Sequence, residues 1–391
     1  MPPTTDSGLR EALVRSLCEL IAIPSTVPPG DTAAIVRYAQ QRLTTAGYDT
    51  HVESRRPGVH NVVAKLGSGR PSVVFNAHVD TVGPGERARW ATDPLVGTLK
   101  GDRVYGLGAC NCKGSMAVQL WLAEAIARRG GPKRGEIVFT FVGDEEAFGD
   151  GGTRYLRDRE LIRPDMLIVG APTANQLITE ERGVFQARLA TAGRAAHAGE
   201  PHDGDNAILR MMRIIAALER DLVPKIAERA RDGMHSTLNI GTIGGGTTAN
   251  VVPSRCTVEI DRRLLPSETV EGGLAELGAA VAAAGEPAET WSVELMTGTN
   301  GFSAKRDSTV VAAFAAAYAQ HRQGEAPRFI IPLGASDARY FADDGIELLV
   351  TGPGDGREGH AANESIAVGD LVDAAHIHLA AIERLLPLAS A

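Results

Sequence analysis

The run Val73-Val74-Phe75-Asn76-Ala77-His78-Val79-Asp80 constrains this chain more than any other segment. Its β-branched and aromatic residues fall on consecutive rather than alternating positions, the pattern of a strand buried within a sheet. The strand ends on an imidazole and a carboxylate at i and i+2, which share one face. A buried strand that delivers polar groups at its end is the ordinary way for an α/β sheet to build a site.

The segments around it agree. Helical periodicity (Leu9 to Ile23, Thr32 to Ala46, Met116 to Arg129) alternates with short apolar strands (Val62 to Lys65, Val73 to Ala77, Ile137 to Val142, Met166 to Val169) up to about residue 180. This predicts an α/β domain around a largely buried, mixed sheet. From Val184 to about Met296 the order becomes strand, long helix (Asn206 to Ala230), strands (Thr237 to Thr242, Cys256 to Arg263), helix (Val270 to Ala284) and a last strand. Two helices on one antiparallel sheet make a compact α+β unit. The chain then returns through Thr309 to Gln320 and Leu348 to Gly352. The expected organisation is a discontinuous catalytic domain, 1–181 and 298–391, with an inserted domain at 182–297; at 391 residues the chain is too long for one core.

Four further segments carry chemistry. Gly106-Leu107-Gly108-Ala109-Cys110-Asn111-Cys112-Lys113-Gly114 is a glycine-rich turn opening a helix. Ile137 to Val142 runs into Gly143-Asp144-Glu145-Glu146, again carboxylates at a strand end. Val169-Gly170-Ala171-Pro172-Thr173 follows another strand. Gly359-His360-Ala361-Ala362-Asn363-Glu364 presents a His from a loop. Strings such as HxD or DEE are common alone; this series, in this order and spacing, is not.

Together these segments resemble the zinc-dependent amidohydrolase family of acetylornithine deacetylase, succinyl-diaminopimelate desuccinylase, aminoacylase and carboxypeptidase G, over almost the whole chain. The resemblance implies that His78 ligates a first zinc, with Asp80 holding its tautomer. It implies Glu145 as general base, and Glu146 and His360 as ligands of a second zinc. Asn111 stands where the family has an Asp bridging both metals, and Ala171 where it has a Glu. Of the ligand carboxylates only Glu146 remains, too little negative charge to hold two divalent ions a few Å apart. The expectation is one weakly bound zinc ion, or none. Cys110 and Cys112 flank the altered position, and residues flanking a ligand mostly point away from it, so they read as small thiols packing the turn.

In the inserted domain, Gly193-Arg194-Ala195-Ala196-His197-Ala198-Gly199 resembles the family segment whose His reaches across a dimer interface to an oxyanion. The resemblance places Asn250 at the ligand and Arg263 on a substrate carboxylate, a task suited to a planar fork. A homodimer through this lid domain is implied in the same way. Arg262 reads as a solvated edge-strand charge. Gly334 to Arg339 resembles a family loop near the cleft; Asp337 and Arg339 are read as a mutual pair and assigned no role.

Composition narrows the partners. Apolar residues make up 43% and charged ones 23%, with a net charge of −8 and no Lys/Arg block to neutralise phosphates, so nucleic acid is not expected. No run of about 18 apolar residues suggests a membrane span, and Met1 to Asp6 lacks the plan of a signal peptide. Four Cys without repeat spacing fit reduced thiols, and a cytoplasmic address. Only the first seven residues and the last few suggest disorder.

Three functions are compatible with these residues. The first is amide hydrolysis of an N-acyl amino acid or small peptide with a free carboxylate, impaired by deliberate Asp-to-Asn and Glu-to-Ala replacement or by natural loss. The second is a metal-independent acyltransferase or amide-forming enzyme in the same cleft. The third is non-catalytic binding of a small molecule.

Overall fold

The computed structural model describes residues 6–27, 30–332 and 334–389. Most of the terminal segments expected to be disordered, and part of the Met1 to Asp6 segment, lie outside them. The chain forms two compact units, one up to Thr179 and again from Ala304, the other Glu180–Ser303. The junctions differ from the expected 181/182 and 297/298 because Glu180–Glu181 pairs with Phe302–Ser303 and closes the base of the inserted unit.

In the first unit, six of the described strands form one mixed sheet. Its order is Asp49–Arg56, Val59–Ser68, Gly135–Val142, Ser72–His78, Met166–Val169 and Glu347–Val350. The first two junctions are antiparallel and the remaining three parallel. Every residue of Ser72–His78 is buried, the polar Ser72, Asn76 and His78 among them. Helices Asp6–Ile21, Ala33–Thr45, Lys113–Arg128, Thr309–His321 and Val368–Leu385 supply the covering side chains of one continuous core. Each fully buried large apolar side chain there stabilises the fold by roughly 1.5–3 kcal/mol before chain entropy is counted. The consequence for function is positional: the parallel strands end at one edge, where loops can meet.

The inserted unit has a four-stranded antiparallel sheet, ordered Thr237–Gly245, Arg255–Leu264, Gly183–Ala192 and Trp291–Thr299. The long helix expected over Asn206 to Ala230 is broken. It runs as Ala207–Ala217, widens to a π turn at Leu218–Leu222, and resumes as Val223–Ala227. Pro224 lacks the N–H that a continuous α ladder needs. A second correction concerns Arg262. Its strand is internal, and its side chain is 1% exposed and bonded to Glu268 at 2.8 Å, so it is a buried structural ion rather than a solvated edge charge.

Candidate active site

Parallel pairing sets His78 level with Val142 and Asn76 with Val169. The strand ends carrying His78, Glu145–Glu146 and Ala171 are therefore neighbours. Asp144 makes the turn in a left-handed conformation, φ 76°, and is held there by Arg56 and by the Gly151 N–H at 2.9 Å. The glycine-rich turn approaches closely: Gly108 has φ +76°, and a Cβ on it would lie 2.7 Å from the Thr81 methyl. The buried Glu364 carboxylate pins this turn by accepting the N–H groups of Gly108, Cys110 and Asn111, each at 2.9 Å. Glu364 thus ties the His360 loop to the Asn111 loop, a role the sequence reading missed although the residue lay inside a quoted motif.

The side chains meet around the Asn111 amide. Its Oδ1 lies 3.3 Å from His78 Nε2, and its Nδ2 lies 2.8 Å from Glu146 Oε1 and 3.0 Å from His360 Nε2. Glu146 Oε1 and His360 Nε2 are themselves 2.8 Å apart, and this hydrogen bond raises the His360 pKa above its ordinary value. Glu145 is nearly buried, and its Oε2 lies 4.0 Å from His78 Nε2. Burial raises its carboxyl pKa, against the pull of His78 and Arg339.

Asp80 acts differently from the expectation. The His78 Nδ1 sits 3.0 Å from the Asp80 backbone carbonyl and 3.5 Å from its carboxylate. The carboxylate instead accepts the Glu146 N–H at 3.0 Å. It fixes the tautomer mainly through its main chain, and its side chain anchors the Glu145–Glu146 turn.

Arg339, assigned no role from sequence, is 1% exposed and donates through Nη1 to Glu145 Oε1 at 3.1 Å. Asp337 is 3.9 Å from it, so the expected mutual pair is the weaker contact. Its guanidinium lies against the rings of Phe148 and Tyr340, faces that a buried guanidinium favours.

Two zinc ions do not fit this donor set. Ala171 offers a methyl group, and Glu146 Oε1 already accepts from Asn111 Nδ2 and from His360 Nε2. Among the described residues the metal-competent group is His78, Glu145 and Glu146, whose ligand atoms all lie within 4.8 Å of one another. That is a set for a single ion. Both flanking thiols are buried and donate to backbone carbonyls, Cys110 to Asp355 at 3.2 Å and Cys112 to Gly170 at 3.1 Å.

In the inserted unit His197 bridges to Val251, and the Ala198 N–H bonds the Asn250 carbonyl at 3.0 Å, so His197 and Asn250 are adjacent. Arg263 is elsewhere. Strand register sets Ala192 opposite Arg255 and Val184 opposite Arg263, so Arg263 lies about 26 Å along the strand from the end where the His197 loop departs. Within one copy of the unit these residues do not converge. Arg263 forks onto Asp261, with Nε at 2.7 Å.

Comparison with known proteins identifies the family. The model of Peptidase family M20/M25/M40 matches residues 74–384. A succinyl-diaminopimelate desuccinylase of Methylorubrum populi is 30% identical over 385 residues, 93% of this chain and 96% of the relative. An acetylornithine deacetylase of Myxococcus xanthus is 31% identical over 373 residues, 92% and 94% of the two chains. The M20 metallo-carboxypeptidase Sso-CP2 of Sulfolobus solfataricus shares the fold, with a TM-score of 0.79 at 16% identity over 95% of this chain and 98% of that one. A matched two-domain scaffold and a matched family model together make the chain a member of Peptidase family M20/M25/M40.

Proposed function

We propose that this chain binds an N-acylated amino acid or small peptide with a free carboxylate and acts on its amide bond, hydrolysing it weakly in its present form. The observation that carries the reading is the meeting of His78, Asn111, Glu145, Glu146 and His360 at one sheet edge, in a family whose relatives include deacylases. Glu145 is the base that takes the proton of the attacking nucleophile. His78 and Glu146 would hold a single zinc, which would supply Lewis acidity and leave Glu145 free to act as base. His197 is the oxyanion donor, and Arg263 grips the carboxylate with the guanidinium edge that Asp261 leaves free.

A second reading is favoured by the Asn111 network, in which Asn111 and His360 both donate to Glu146 without a metal ion. It is metal-independent acyl transfer, with Glu145 deprotonating an amine. One experiment separates the readings: the purified chain is analysed for zinc, then incubated with N-acetyl and N-succinyl amino acids, with and without hydroxylamine. Free amino acid released in a zinc-dependent manner supports hydrolysis. Hydroxamate formed without zinc supports transfer. Ligand binding with neither product leaves a binder.

The separation of Arg263 from His197 supports a homodimer in which each copy completes the other's site. So do three exposed apolar side chains on the inserted unit, Leu209 and Met212 on its first helix and Ile243 on its edge strand, at 49%, 56% and 59%. The double substitution Met212→Glu with Ile243→Arg is expected to weaken self-association roughly a hundredfold or more, since charges would be buried unpaired. Sedimentation of the variant as a dimer at micromolar concentration would contradict this. Arg263→Ala is expected to weaken binding of a carboxylate ligand by about 1.5–3 kcal/mol. Calorimetry showing an unchanged Kd would remove Arg263 from the site. Four free cysteines among the described residues support a reducing, cytoplasmic setting, and no described helix is long and apolar enough to cross a membrane.

A further inference from the structure

The Glu145 carboxylate is held asymmetrically. Oε1 is bonded to Arg339 at 3.1 Å, while Oε2 faces the His78 imidazole at 4.0 Å. The guanidinium doing the holding is itself locked. It lies against the rings of Phe148 and Tyr340, 4.8 Å and 4.6 Å from their centroids, and its Nη2 donates to the Tyr340 hydroxyl at 3.1 Å. That hydroxyl donates onward to the Gly149 carbonyl at 2.9 Å.

Behind it runs a buried chain of hydrogen bonds. Asp337, 3.9 Å from the guanidinium, accepts from the Thr153 hydroxyl at 2.7 Å, and Thr153 accepts from Asn76 Nδ2 at 2.9 Å. Asn76 lies two residues before His78 on the same strand. The orientation of the base is thereby referenced to the strand that delivers His78. Every link is buried or half-buried, so water does not compete for it, and the rotamer freedom of a long Arg side chain has been removed by packing.

We propose that Arg339 is the positioning residue of the base: it tethers one oxygen of Glu145 and leaves the other aimed at the space beside His78 where the nucleophile sits. This rests on the reading of Glu145 as base. The geometric requirement behind it is general, since a misplacement of about 1 Å in a catalytic group costs on the order of a hundredfold in rate. A buried guanidinium between two rings meets that requirement better than water, which would let the carboxylate rotate.

The test compares Arg339→Met, Arg339→Lys and Tyr340→Phe with the parent. Each is made in the chain as it stands and again with Asn111→Asp and Ala171→Glu. Crystal structures are expected to show the Glu145 carboxylate displaced by about 1 Å or more in the Met variant, with His78, Asn111 and Glu146 in place. On an N-acetyl amino acid, kcat is expected to fall about a hundredfold with KM within about twofold, and Lys to recover part of the loss. Glu145 unmoved in the Met variant, or a Lys variant no better than Met with KM and thermal stability changing together, would overturn the proposal. If Arg339→Met does not fold, the Lys and Phe variants carry the same comparison. If no protein of the set turns over any substrate, Glu145 is not the base of a hydrolysis; the crystal structures still decide whether Arg339 holds it.

Discussion

Replacing Asn111 by Asp and Ala171 by Glu together is expected to give a protein that takes up about two zinc ions per chain, where the present chain takes up about one at most. The reason lies in which atoms donate. In the present chain Glu146 Oε1 accepts from Asn111 Nδ2 and from His360 Nε2, each at 2.8 Å. The Asn111 amide hydrogens offset the Glu146 charge in part, as a cation would. Asn111→Asp exchanges them for a carboxylate oxygen about 2.8 Å from that of Glu146, a repulsion of several kcal/mol at an effective dielectric constant near 20. A bound cation relieves it without protonating either carboxylate, and Ala171→Glu adds the carboxylate that a second ion needs beside His78. The metal-free double variant is therefore expected to melt below the parent in chelator. Zinc at about a thousandfold over its Kd should then raise its stability by about 4 kcal/mol. Elemental analysis with thermal unfolding in chelator and in zinc checks both parts. A double variant that binds no more zinc than the parent would mean that Asn111 and Ala171 do not occupy ligand positions.

The central strands and the helices over them were legible because burial leaves a mark on sequence. Ser72–His78 is buried at every position and carries the apolar run Val73–Phe75, and Gly135–Val142 carries the run Ile137–Phe139. The edge strand Asp49–Arg56 was not found. Its residues, Asp-Thr-His-Val-Glu-Ser-Arg-Arg, are mostly exposed, and backbone pairing with Val59–Ser68 alone makes it a strand. Pairing of that kind writes nothing into side-chain periodicity. The break in the long helix at Pro224 was legible in principle, since proline removes a helix donor wherever it falls.

The site divides along the same line. His78, Glu145, Glu146 and His360 were visible as motif residues at strand ends and in a loop, and the structure brings them together around Asn111. Arg339 and Glu364 were not assigned because their work depends on long-range contact: Arg339 is 194 residues from Glu145, and Glu364 is 253 from Asn111. Local spacing carries no trace of such partners. Asp80 shows a subtler limit, since position alone does not say whether its carboxylate or its carbonyl meets the imidazole.

Lowering the pH from about 6.5 to about 4 is expected to cost the fold roughly 3 kcal/mol through His378 alone. This residue lies on the C-terminal helix with its ring 5.8 Å from Phe75 and 5.3 Å from Phe314, and it is 1% exposed. Its Nδ1 has no hydrogen-bond partner among the described residues. Burial pushes the imidazole pKa down to about 4. The unfolded chain binds a proton on this ring below about 6.5, whereas the folded chain refuses it until about 4. The stabilisation is therefore complete above 6.5, declines as the pH falls, and levels off once both states are protonated. Phe75 belongs to the strand that ends at His78, so a proton on His378 would loosen the sheet directly behind the site. His378→Leu removes the titrating group while keeping an apolar filling. Urea unfolding at pH 7.5 and pH 4 should show the parent losing roughly 3 kcal/mol more than the variant over that interval. Equal losses in both proteins would mean that the ring already carries its proton, or a partner for it, inside the fold.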